Sequence, residues 1–124
     1  MDDHLRACLA NVAARLVTGQ NVACVFDCHS AVSVPLAGHA TPHGADLFDP
    51  HGGRRLMGAP QPGGMLLSMP GTTLRITLSI AAETFHGSVT TAPGAPATTF
   101  TGTVRRNLVT LQDFSDGLFY RYNF

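Results

Sequence analysis

Leu74-Arg75-Ile76-Thr77-Leu78-Ser79-Ile80 is the stretch that decides how this chain folds. Leu74, Ile76, Leu78 and Ile80 alternate with Arg75, Thr77 and Ser79, a period of two that puts apolar side chains on one face of a strand and polar ones on the other. The pattern continues C-terminally. Phe85, Gly87 and Val89 keep it, Pro93-Gly94-Ala95-Pro96 interrupts it with a turn, and Phe100, Gly102 and Val104 resume it. A bulge or turn at Arg105-Arg106 shifts parity to Val109 and Leu111. Asp116-Gly117 marks a hairpin turn, and Leu118, Tyr120, Tyr122 and Phe124 form the apolar face of a last strand.

Toward the N-terminus, residues 22–26 and 31–36 are rich in β-branched side chains and read as strands. Residues 38–64 are dense in Gly, Pro and His and read mostly as loop around one short hairpin. In it, Asp46-Leu47-Phe48-Asp49 and Arg55-Leu56-Met57-Gly58 flank the turn Pro50-His51-Gly52-Gly53. The helical period occurs once, at the start, where Leu5, Cys8, Leu9, Val12, Leu16 and Val17 recur at spacings of three and four behind Asp2 and Asp3. With Gly19 as its stop, this predicts one amphipathic helix over about residues 3–18. The fold expected is mainly β: an antiparallel meander of about eight to ten strands closed into a small barrel, or folded as a sandwich, with one N-terminal helix. Closure would remove edges that a weakly charged chain cannot protect. No internal repeat is read.

The 124 residues suit a single domain able to bury its own core. Only 13% of them are charged, eight Arg balancing eight acidic residues with no Lys, against about 25% in an average globular domain. A 44% hydrophobic content excludes disorder, and a net charge of zero excludes nucleic-acid or anionic-membrane binding through a strong basic field. The N-terminus reads as no signal peptide, and no apolar run approaches the ~20 residues of a membrane span. The three Cys are therefore expected as free thiols in a cytoplasmic protein, with no membrane partner.

Cys24-Val25-Phe26-Asp27-Cys28-His29 lacks the spacing of haem or zinc motifs, and its cysteines read as small buried hydrophobes. His39, His43, Asp46, Asp49 and His51 place five potential metal ligands within thirteen residues. Three of the six His precede Gly, however, so the set reads as solvated loop and no metal is expected. No Gly-x-Ser-x-Gly elbow, Walker loop or strand-linked Gly-x-Gly-x-x-Gly is present, Glu83 is the only Glu, and Arg105-Arg106 reads as a solvated turn. No cofactor and no catalytic residue is assigned. Tyr120, Tyr122, Phe100 and Phe26 are the residues expected to line an apolar cavity inside the barrel.

The hairpin residues Asp46-Leu47-Phe48-Asp49 through Arg55-Leu56-Met57-Gly58 resemble a pattern of the allene-oxide-cyclase-like, calycin-type barrels. There an acidic residue, two apolar residues and Asp precede a Gly turn. That group includes polyketide cyclases that form spirotetronate rings by a Diels–Alder reaction. The resemblance implies an antiparallel, often dimeric barrel whose apolar cavity folds a linear polyketide without a cofactor, catalysing by shape rather than by acid and base.

Two functions follow as expectations. The first is a barrel that binds a small apolar molecule and acts on it as a cofactor-free cyclase. The second is a non-enzymatic β-domain that self-associates as a homo-oligomer or binds a partner. The helix is the contact expected in the second case, because its outward positions are Ala and Asn rather than charged.

Overall fold

The computed structural model describes residues 1–124. Helix α1 (Asp3–Thr18) precedes eleven strands: β1 (Cys24–Asp27), β2 (Val32–Pro35), β3 (Ala37–Thr41), β4 (Gly44–Phe48), β5 (Arg55–Gln61), β6 (Gly64–Ser68), β7 (Arg75–Ala81), β8 (Thr84–Thr90), β9 (Thr98–Arg105), β10 (Leu108–Asp113) and β11 (Leu118–Asn123). The helix ends where expected. The Asp2 carboxylate accepts the Leu5 N–H at 2.7 Å, and Gly19, at φ 71°, closes the C-terminus by donating its N–H to the Arg15 carbonyl.

All strand pairings are antiparallel, in the order β2-β1-β11-β10-β9-β8-β7-β6-β5-β4-β3. The two edge strands of that order, β2 and β3, are consecutive in sequence and joined by Leu36 alone. The edges therefore meet, and the sheet is a nearly closed barrel.

The helix lies within it. Leu5 through Arg15 are buried without interruption, and the helix touches β1, β2, β3, β7, β9 and β10. A barrel's diameter grows with its strand number, and beyond about eight strands side chains alone no longer fill it. Here the helix does, with Ala7, Ala10, Ala13 and Ala14 letting the sheet approach. The Ala and Asn positions taken as outward-facing are thus enclosed, and Leu9 is wholly buried. The helix is not a free contact surface.

Glycines shape the wall. Phe85 stands opposite Gly102 and Phe100 opposite Gly87 across β8 and β9. A Cβ on Gly102 would lie 2.3 Å from the Phe85 ring, and one on Gly87 would lie 2.7 Å from the Phe100 ring. Each aromatic ring covers the bare backbone of its partner strand.

The seam at Leu36 is held by Arg15, the most completely bonded side chain of the molecule. Its guanidinium donates to the carbonyls of Val22 (2.6 Å), Leu36 (2.6 Å) and Gly38 (2.8 Å), and to the amide oxygens of Asn11 (2.7 Å) and Asn21 (3.1 Å). All five donors of the fork are used. Burial, with no carboxylate nearby, pushes the Arg15 pKa down.

Three expectations are corrected. Residues 38–64 are mostly strand, not loop, because Gly38, Gly58 and Gly64 sit inside ladders where another backbone or a core side chain approaches too closely for a Cβ. The strands number eleven rather than eight to ten. Leu118 is exposed, so Tyr120 and Tyr122 alone carry the buried face of β11. The hairpin at 46–58 forms in register, Phe48 opposite Arg55 and Leu47 opposite Leu56.

Candidate functional site

The two ends of the barrel are built differently. At one end, β3–β4, β5–β6, β7–β8 and β9–β10 are joined by two residues each. Arg106 and Asn107 both take positive φ (49° and 62°), as the tightest hairpins require. The other end carries every strand-to-strand loop of four residues or more and the helix N-terminus, while the five-residue link from α1 to β1 lies at the two-residue-turn end.

Three of those loops are copies of one structure. In Phe26-Asp27-Cys28-His29-Ser30-Ala31, Phe48-Asp49-Pro50-His51-Gly52-Gly53 and Gln112-Asp113-Phe114-Ser115-Asp116-Gly117, a buried Asp ends or follows a strand. Its Oδ1 accepts the amide two residues on, from His29, His51 or Ser115, at 2.9 Å in each case. Its carbonyl accepts the amide four residues on, from Ala31, Gly53 or Gly117, each at positive φ. These are Asx turns that aim a carboxylate inward.

The first turn of α1 meets two of them. Arg6 donates to Asp113 Oδ2 at 3.0 Å, the N-terminal ammonium lies 3.7 Å from the same atom, and Arg6 also pairs with Asp3. Burial opposes the Asp113 charge, but the Ser115 hydroxyl and amide and then Arg6 outweigh it and hold the carboxyl below its ordinary range. His4 Nε2 lies 2.6 Å from Asp49 Oδ2. There too burial is outweighed, by the amides of Gly52 and His51 and by His4, and the carboxyl is held low.

Cys8, His4 and Asp49 are the residue types of a nucleophile, its base and an orienting acid. The arrangement is chemically quiet. The Cys8 sulfur is 3.7 Å from one ring nitrogen of His4 and 4.0 Å from the other, so it lies against the ring rather than in line with either nitrogen. Burial, with the Asp49 charge behind it, pushes the thiol up to about 12, and no thiolate forms near neutrality.

The Tyr residues belong to this end. Arg6 stacks over the Tyr120 ring at 3.7 Å, His29 meets its edge at 5.3 Å, and the Tyr120 hydroxyl donates to Asp116 at 2.5 Å. Tyr122 is fully buried, and burial pushes its pKa up. Its hydroxyl and Arg6 Nε are the two buried side-chain polar atoms with no hydrogen-bond partner.

The four residues expected around one cavity are not brought together. Phe26 is on the outer face, 39% exposed, because Val25 and Asp27 take the inward positions of β1. Phe100 is in the core against Phe85, with ring centroids 6.3 Å apart. Only Tyr120 and Tyr122 are neighbours, in the charged cluster rather than in an apolar chamber. Cys24 and Cys28, taken as buried, are exposed, and only Cys8 is buried. Asp46 is bound by Arg55 at 2.9 and 2.6 Å, Asp49 points inward, and no three His, Cys, Asp or Glu side chains converge on a metal position. Arg105 pairs with Glu83 at the two-residue-turn end. The residues that organise the site, Asp27, Asp113 and Arg6, were not singled out. Phe-Asp-x-His at 26–29 and again at 48–51 was the available signal.

Two grooves open at this end. One of about 290 Å³ runs past Met1, Leu5, Arg54, Met69, Leu74 and Val89. The other, about 270 Å³, is lined by Asp3, His4, Asp27, Ser30, Val32 and Val34. The large hydrophobic side chains that stay exposed are Phe26, Val32, Phe48, Phe114, Leu118 and Phe119. Every one lies on a loop of this end or within two residues of one. Six of the eight acidic residues are here as well, the exceptions being Asp46 and Glu83.

The class this defines is a small antiparallel β-barrel wrapped around its own N-terminal helix, with three Asx turns, two grooves and the exposed large hydrophobic side chains at the loop end. No family model, no curated protein and no solved structure matches the chain. Its one helix is not long and apolar enough to cross a membrane.

Proposed function

We propose that this chain is a non-enzymatic binding domain that engages a protein partner through the loop end of the barrel. One observation carries the reading: all six exposed large hydrophobic side chains lie at that end, on β1, β2, β4, β11 and the β10–β11 loop, a partial collar with Phe119 60% exposed. Isolated surface apolar residues need no explanation, whereas a set confined to one rim marks an interaction surface. Aromatic side chains are also the ones that anchor protein interfaces. The interior supports the reading by exclusion, since the helix fills the space a cyclised substrate would occupy.

The test is selection of binding peptides from a random library, with self-association followed by light scattering. Peptides rich in aromatic and aliphatic residues are expected, with binding lost in a Phe114→Ser/Phe119→Ser variant. Binding indifferent to that pair, or none at all, overturns the proposal.

A second reading keeps the small apolar ligand but moves it from the interior to the groove of about 290 Å³ at the same rim. Polyene or fatty-acid ligands that raise the melting temperature of the wild type and not of a Leu74→Arg variant would favour it.

A further inference from the structure

The three Asp turns permit a comparison inside one molecule. Asp113 is matched by Arg6 and the N-terminal ammonium, while Asp49 accepts backbone amides of its own turn and has His4 Nε2 at 2.6 Å from its Oδ2. Asp27 is equally buried, and its Oδ1 receives the amides of His29 (2.9 Å) and Ser30 (3.3 Å). No basic side chain comes within ion-pair distance of it. A buried carboxylate is costly unless a cation meets it. Unlike its two counterparts, Asp27 borders an open groove.

We propose that the groove at Asp27 receives an alkyl guanidinium or primary ammonium group. This deepens the proposed function, on which the assignment of that group to a protein partner rests: the partner presents Arg or Lys between apolar residues.

The groove has the parts such a group needs. Asp27 Oδ2 is free to accept, and Asp3 on the helix adds a second carboxylate, partly engaged by Arg6. Val32 and Val34 give an apolar wall along which an aliphatic stem can lie while its charged head reaches the carboxylate. Tyr122 stands directly across from Asp27 in the β1–β11 ladder but is wholly buried, and Arg6 acts on its hydroxyl together with Asp27 and Asp3, so the groove's contacts come from Asp27, Asp3 and the valine wall. A divalent metal is less well served, because no third ligand joins the two carboxylates. One collar residue, Val32, is in the groove's wall, and Phe26 is on the same hairpin.

Amide NMR spectra of the whole chain, titrated with n-butylguanidinium, n-butylammonium, tetramethylammonium or magnesium ions, test the idea. The two N–H donors are expected to move the His29 and Ser30 amides saturably, while tetramethylammonium, which has no donor, and magnesium do not. Asp27→Asn keeps the Asx-turn acceptor but removes the charge, and should weaken binding about tenfold or more. Val32→Lys plants an ammonium directly opposite Asp27 in the β1–β2 ladder, and should abolish probe binding without lowering the melting temperature. A capped tripeptide with arginine between two phenylalanines should bind about tenfold more tightly than n-butylguanidinium. The proposal is overturned by absence of saturable shifts, by wild-type binding in Asp27→Asn or Val32→Lys, or by a preference for magnesium. Equal affinity of tripeptide and butylguanidinium overturns the assignment to a protein partner. Retention of butylguanidinium binding by Phe114→Ser/Phe119→Ser separates this proposal from the collar.

Discussion

The barrel's two ends solve opposite problems with the same kind of residue. At the end with two-residue turns, Arg15 is a buried cation that meets no carboxylate and saturates five oxygens of the seam and its neighbours. At the loop end, Arg6 is a buried cation set among carboxylates, an aromatic ring and an unpaired phenol. The first arrangement leaves no Arg15 donor over for a ligand, although a groove of about 250 Å³ past Leu16, Pro42, Gln61 and Ile80 opens at that end too. The second leaves carboxylates beside open grooves, a hydroxyl without a partner and a ring of exposed aromatics. Short turns and full bonding mark the end that closes the fold, while long loops and surplus bonding capacity mark the end proposed to meet a partner.

Removing Arg15 should produce the largest effect. Arg15→Met leaves the carbonyls of Val22, Leu36 and Gly38 without donors in the interior, and should cost about 3–5 kcal/mol in denaturant unfolding. Arg15→Lys should recover little, because one ammonium cannot reach five acceptors spread around a planar fork. A Lys variant within about 1 kcal/mol of wild type would show that charge rather than geometry closes the seam.

Next in size are the three Asp turns, which the structure makes equivalent in backbone and unequal in partners. Asp113→Asn should destabilise by about 2–4 kcal/mol, since it strands Arg6 in the interior. Asp27→Asn should cost under about 1 kcal/mol, the amide oxygen still accepting from His29 and Ser30. Equal losses at the two positions would remove the distinction on which a cation groove at Asp27 depends.

Acid and alkali should act on this end through different groups. Asp49 and Asp113 have folded pKa values below the ordinary carboxyl value, so their contribution is complete above about pH 5 and is lost as pH falls through about 4 and below. Cys8 and Tyr122 are shifted up. Their protonated forms are favoured by folding, and that contribution is lost as pH rises past the ordinary thiol value of about 8.5 and the phenol value of about 10. Melting temperature should therefore be flat between about pH 5 and 8. Cys8→Ala should delay the alkaline fall until the Tyr122 range, and an unchanged onset would assign the fall elsewhere.

The alternation in 74–80 and 100–124 and the caps at Asp2 and Gly19 were legible because period and cap chemistry are local. The strands of residues 38–64 were hidden by glycines, which look like loop in sequence but sit in ladders where a neighbour approaches closely. The helix surroundings were hidden for a different reason. An apolar stripe tells which face of a helix is buried when one side meets water, and here no side does. Ala7, Ala10 and Asn11, which look solvent-facing beside Leu9 and Val12, are inside a barrel whose diameter depends on the strand count. The site was missed because the repeat that builds it is three Asx turns, two of them alike in sequence as Phe-Asp-x-His and the third, Gln112-Asp113-Phe114-Ser115, alike only in its hydrogen bonds.

The smallest expected effect on stability is at the collar. Phe114→Ser and Phe119→Ser each remove a ring more than half exposed, with no partner in the core to lose. Each should therefore change unfolding free energy by less than about 0.5 kcal/mol. That near-neutrality separates the ends most sharply. An aromatic ring that costs almost nothing to delete contributes little to the fold, so a loss of more than about 1.5 kcal/mol at either position would make the collar part of the barrel's own packing. If deletion is neutral for folding and abolishes peptide binding, the rings serve the partner, and the two ends divide the work of the chain between them.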